Sequence, residues 1–126
     1  MGTLNAAIMI GVLNLDSTFD DATMEGLIDQ AIDMLNLYGI NVDLPNMTGT
    51  AGSKTVSLTS PQQGAVVMIT RVVYSQFYER ADGSMTFGGV TVSASDMMGN
   101  TVVIRTVKEA ARLLYKHEHG MECSVG

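Results

Sequence analysis

A chain of 126 residues has room for one hydrophobic core, and its hydrophobic share of 46% is ordinary for a packed globular domain, whereas charged residues are sparse at 16%. The formal net charge of −6 is unevenly laid out, with seven acids and no Lys or Arg over residues 1–53, which argues against a grip on a phosphate backbone. The single cysteine, Cys123, cannot close an intramolecular disulfide, no apolar stretch approaches the ~20 residues needed to cross a bilayer, and the N-terminal apolar run lacks a preceding basic residue, so a soluble, non-secreted chain is expected.

Residues 4–13 (LNAAIMIGVL) read as a short helix without a strong cap at either end. Asp20 or Asp21 can cap the next helix, expected over 21–38, whose Met24, Leu27, Ile28, Ala31, Leu35 and Tyr38 follow the 3.6-residue period. Gly39 is placed to end it in the left-handed conformation. Residues 40–53 are rich in Asn, Gly, Thr and Ser and read as a loop, and 54–58 (KTVSL) alternates like a short strand. Ser60-Pro61-Gln62-Gln63 carries a capping-box pattern with proline at the first helical position. The helix expected over 61–80 is the centre of the core, with Val66, Ile69, Val73 and Phe77 among its most buried side chains. Residues 85–93 alternate around a glycine pair as a strand or one arm of a hairpin, and 93–100 read as a loop. The last element has two readings. Thr106 with Glu109 makes a second capping-box pattern, leaving 101–105 as strand; alternatively one longer helix starts near Asn100 or Thr101, which the alignment of Val103, Val107, Ala110, Ala111 and Leu114 on one side favours. The fold class expected is mainly α: a small bundle of three or four helices with short extended segments or a β-hairpin. One domain should fill residues 1–126, its helical core at about 18–116 and a flexible C-terminal tail over 117–126.

The inventory for chemistry is thin. No nucleophile elbow, phosphate loop or dinucleotide fingerprint occurs, and a serine or cysteine nucleophile would need a histidine that the chain supplies only at His117 and His119. Those two, with Glu122 and Cys123, lack the well-spaced frame of a structural zinc site. Residues 15–21 (LDSTFDD) superficially resemble a calcium loop but lack its sixth-position glycine and, in a register beginning at Asp16, its twelfth-position glutamate. The expectation is therefore no catalytic residue, no cofactor and no metal.

Two charge stripes carry more information. Asp21, Glu25, Asp29 and Asp33 recur every four residues on the first long helix, and Arg105, Lys108, Arg112 and Lys116 every three or four on the last. Both fit solvated faces of amphipathic helices. Like charges at this spacing nevertheless cost a helix a few tenths of a kcal/mol per pair. Uniform stripes of opposite sign also suit a subunit interface between repeated copies, where they fix register. Scarce charge and 10 methionines agree with surface covered by neighbours, and equally with methionine filling gaps in one core.

The order of elements resembles the head–tail connector, or adaptor, proteins of tailed viruses. The matching stretches are DDATMEGLIDQAIDMLNLYG, SLTSPQQGAVVMITRVVYSQFYER, GGVTVSASD and TVVIRTVKEAARLLYKHE, together about residues 18–118. Loop 40–53 and the Met-containing stretch 95–99 have no counterpart in that pattern. The resemblance implies a structural virion protein, assembled in the host cytoplasm and resident in the neck between head and tail. It implies a homo-oligomeric, twelve-fold ring under the portal protein that extends the DNA channel, lets DNA pass without sequence-specific binding, and docks a tail or stopper protein. Neither catalysis nor membrane contact is implied. The rival expectation is a small cytosolic regulatory or ligand-binding helical domain acting as monomer or dimer.

Overall fold

The computed structural model describes residues 2–16, 18–39, 42–76 and 99–119, the last three by backbone alone. The protein is mainly helical, with a small two-stranded antiparallel sheet. In chain order the described elements are β1 (Gly2–Asn5), α1 (Ala6–Val12), α2 (Asp21–Tyr38), β2 (Thr55–Leu58), α3 (Ser60–Tyr74) and α4 (Thr101–His119).

The N-terminal segment departs from the expected single helix. Residues 2–5 pair with β2 in the register Gly2↔Leu58 to Asn5↔Thr55, which puts Leu4, Val56 and Leu58 into the core. Asn5 then supplies the cap that the sequence reading missed, its Oδ1 accepting from the Ile8 amide at 2.8 Å. Asn14, at φ 60°, closes α1 in the left-handed conformation that asparagine tolerates better than most residues.

α2 matches its expected bounds. The Asp20 carboxylate accepts from both the Thr23 amide (2.9 Å) and the Thr23 hydroxyl (2.7 Å), satisfying an otherwise orphaned first-turn donor. Its end is a correction: Gly39 is extended (φ −81°, ψ 150°), not left-handed. Glycine is needed there for space, because a Cβ would stand 2.8 Å from the Leu35 carbonyl and would collide with the Val42 side chain.

α3 begins one residue earlier than expected. Thr59 is the cap: its hydroxyl accepts from the Gln62 amide while Gln62 Oε1 accepts from the Thr59 amide at 2.9 Å. Ser60 is therefore the first helical residue and Pro61 the second. Val66, Ile69 and Val73 are buried as expected, whereas Phe77 and the strand expected at 85–93 lie outside the described residues.

α4 is the longer of the two alternatives. Asn100 Oδ1 accepts from the Val102 and Val103 amides at 2.9 and 3.1 Å, so the helix starts at Thr101. Thr106 is not a cap, since its hydroxyl donates back to the Val102 carbonyl. Helical backbone is described through His119, and the rest of the tail expected over 117–126 lies outside the described residues. Val103, Val107, Ala110, Ala111 and Leu114 face α2 and α3, and all described elements contribute to one core cluster.

Candidate functional site

The four acids of α2 lie along one flank of the helix, but they are not equivalent. Glu25 is 3% exposed. Its two carboxylate oxygens accept from the Gly52 amide at 2.8 Å and the Lys54 amide at 2.9 Å. One turn on, Asp29 Oδ1 accepts from the Met47 amide at 2.8 Å, and Asp33 Oδ1 accepts from Asn46 Nδ2 at 3.0 Å. Asn36 completes the row by accepting from the Leu44 amide (2.8 Å) and donating to the Leu44 carbonyl (3.0 Å).

Together these contacts lash segment 42–54 along α2, running back from its C-terminal end toward its N-terminal half. The physical cause is the segment's own backbone. Its backbone pairing is one isolated bridge, Thr48 to Thr55, and one turn in which the Ser53 amide donates to the Thr50 carbonyl, so its other amides need acceptors from elsewhere. Carboxylates at four-residue spacing supply them once per helical turn. Leu44 and Met47 enter the core beneath the lashing. Gly52 holds φ +91°, a conformation that side-chain-bearing residues rarely adopt, at the amide that donates to Glu25. Of the expected acidic stripe, then, Glu25 and Asp29 are ligands of the chain itself, Asp33 is exposed with one asparagine contact, and Asp21 is exposed at the start of the helix.

The cations of α4 are arranged differently. Arg105, Lys108 and Arg112 are exposed and Lys116 is half-buried. Arg112 is paired with Glu109 at 2.6 Å, the one ion pair among the described residues. That hydrogen bond holds the Glu109 carboxyl below its ordinary range and raises Arg112. Lys108 Nζ lies 5.8 Å from the centre of the Tyr38 ring, a cation–π contact that ties α4 to the end of α2. Among the described residues no acid of α2 meets a cation of α4.

Among the described residues, recesses border α4 on two sides. The larger, about 490 Å³, is apolar and lies between the N-terminal half of α3 (Pro61, Gly64, Met68) and the C-terminal half of α4 (Ala110, Leu113, Leu114). The smaller, about 200 Å³, is walled by Tyr38 and Tyr115 and bordered by Lys108, Ala111 and Arg112. Among the described residues no group of three or more His, Cys, Asp or Glu could hold a metal ion, and no helix is long and apolar enough to cross a membrane. The side chains of His117 and His119, with Glu122 and Cys123, lie outside the described residues. No family model matches the chain, nor does any curated protein or solved structure.

The acid ladder was missed because a polar stripe every fourth residue is also what a solvated helix face looks like. A usable signal was present: Asn36 continues the stripe of Glu25, Asp29 and Asp33, and a Gly-, Thr- and Ser-rich loop with many unpaired amides follows directly.

Proposed function

We propose that the chain is a structural subunit of a head–tail connector ring, placed under the portal protein in the neck of a tailed virus. The observation that carries this reading is the exposed row Arg105, Lys108 and Arg112 on an otherwise acidic chain, meeting no acid of α2 within the subunit. Such a row, of which only Arg112 has an acidic partner among the described residues, suits a counterpart in another chain. The resemblance of residues 18–118 in element order supplies the kind of assembly. In this reading the protein performs no covalent chemistry and holds no cofactor or metal; it extends the channel, and its net negative charge lets DNA slide past without adhering. Adhesion between subunits comes mainly from apolar contact, since exposed ion pairs contribute only about 0–1 kcal/mol each.

The test is to mix the purified protein with the portal encoded near it and to image the product. A ring of subunits stacked on the portal supports the reading, and two separate species by imaging and sedimentation reject it.

A second reading, a small ligand-binding helical domain, is favoured by the apolar recess between α3 and α4, whose volume falls within the range of small-molecule sites. It predicts that Gly64→Leu, which fills the recess, abolishes binding of an apolar fluorescent probe while the protein stays folded. The ring reading predicts no saturable probe binding.

A further inference from the structure

The acids available for contact between copies are fewer than the stripe contains, and this sharpens where such a contact lies. Glu25 and Asp29 hold the amides of Gly52, Lys54 and Met47, so neither can turn to a neighbour without leaving those donors unmet. Asp33 remains at the surface, and one turn further along α2 stands Leu37, at 63% the most exposed large hydrophobic side chain among the described residues. A carboxylate and an isobutyl group four residues apart form a ridge with one charged and one apolar point.

The recess between α2 and α4 has the complementary form. Lys108 and Arg112, also four residues apart, stand over an apolar floor at Ala111 between the rings of Tyr38 and Tyr115. Tyr38 already holds the Lys108 ammonium near its face, and Glu109 holds the Arg112 fork, so both cations stand partly ordered before any partner arrives. Among the described residues Glu109 is the one acid contacting these cations, and its two oxygens engage only Nε and one terminal nitrogen of Arg112.

We infer that this recess receives the Asp33–Leu37 ridge of a second copy of the chain: Leu37 seats between the two tyrosines, and the Asp33 carboxylate accepts from Lys108 and Arg112. Charge complementarity selects the occupant, because residues 1–53 carry seven acids and no base. The inference rests on the ring reading only in that copies of the chain meet; it specifies which surfaces do.

Single-cysteine cross-linking tests it in full-length chains that all carry Cys123→Ser. One chain carries Leu37→Cys and the other Glu109→Cys, at the exposed rim beside Arg112. Mixed and treated with a short bis-maleimide, they should give a covalent heterodimer in excess of either homodimer. Adding Asp33→Lys to the first chain should lower that yield about tenfold, and Lys108→Glu with Arg112→Glu in the second should restore most of it. Absence of the heterodimer while both variants keep wild-type circular dichroism overturns the inference, as does a Leu37→Cys homodimer in greater yield. Portal imaging reads the other question: a cross-linked heterodimer with no ring on the portal rejects the ring and keeps the contact, whereas a ring without the heterodimer does the reverse.

Discussion

The acidic flank of α2 and the basic flank of α4 look alike as charge patterns, yet one is largely engaged within the subunit and the other faces outward. On α2, Glu25 and Asp29 meet backbone amides of segment 42–54 at 2.8 to 2.9 Å, and Glu25 is buried in doing so. On α4, Arg105 and Lys108 meet no acid among the described residues, and Arg112 meets only its helical neighbour Glu109. The difference follows from what lies beside each helix. An irregular segment returns along α2 and brings unpaired donors, which ionised acceptors satisfy strongly. Lysine and arginine keep their charge at the surface, where Lys108 sets its ammonium over the Tyr38 ring. A stripe of like charge is thus a structural device where backbone donors lie against it, and is open to partners where they do not.

This contrast makes graded predictions. As a reference for the core, Ile69→Ala should lower unfolding stability by about 2–5 kcal/mol in a denaturant titration, since Ile69 is fully buried. Glu25→Ala removes the acceptor of two amides in a sheltered place and should cost about 3 kcal/mol, a core-like loss from what the sequence presents as a surface residue. Asp29→Ala, with one amide at stake, should cost about 1–3 kcal/mol. Arg105→Ala, by contrast, should stay within about 0.5 kcal/mol of wild type, because Arg105 is exposed and meets no acid among the described residues. A loss at Arg105 matching that at Glu25 would erase the contrast.

Charge reversal separates folding from assembly. Asp33→Lys combined with Asp21→Lys should leave the melting temperature nearly unchanged while weakening assembly on the portal, more so at low salt than at high. Reversing Asp29 instead should melt the lashing of segment 42–54, so that any loss of assembly would reflect damage to the subunit. The smallest effect expected is of pH. Glu109 is held below its ordinary range by Arg112, and Asp16 by the Thr18 amide and hydroxyl. Each stabilises the fold fully at neutral pH and down to the ordinary carboxylate range, and the contribution fades as pH falls from there through the lowered folded value. Both groups are fully exposed, so Glu109→Gln should flatten this acid limb of a stability–pH curve only slightly.

How much of this was legible in the sequence differs by element. α2 was readable because its period, its acidic cap and Gly39 agree, although Gly39 serves for clearance from Val42 and not for a left-handed turn. The start of α3 was displaced by one residue because Thr59-Ser60 offers two hydroxyls in succession, and only the Gln62 side chain reaching back to the Thr59 amide decides between them. β1 was unreadable locally, since residues 2–5 become a strand only by pairing with residues 55–58. Arg105, Lys108 and Arg112 were exposed as the wheel implied, whereas Glu25 was not: its partners lie 27 and 29 residues further along the chain, a separation at which helical periodicity carries no information.

Amide hydrogen exchange at Gly52 and Lys54 tests the division between the two flanks most directly. In the wild type both amides should exchange far more slowly than their neighbours Thr50 and Ala51. Glu25→Gln, which leaves one carbonyl oxygen where two carboxylate oxygens stood, should release at least one of them, while Arg105→Glu with Lys108→Glu should leave both protected. Rapid exchange at Gly52 and Lys54 in the wild type would contradict the account, because the acids of α2 would then be as free to meet a partner as the cations of α4.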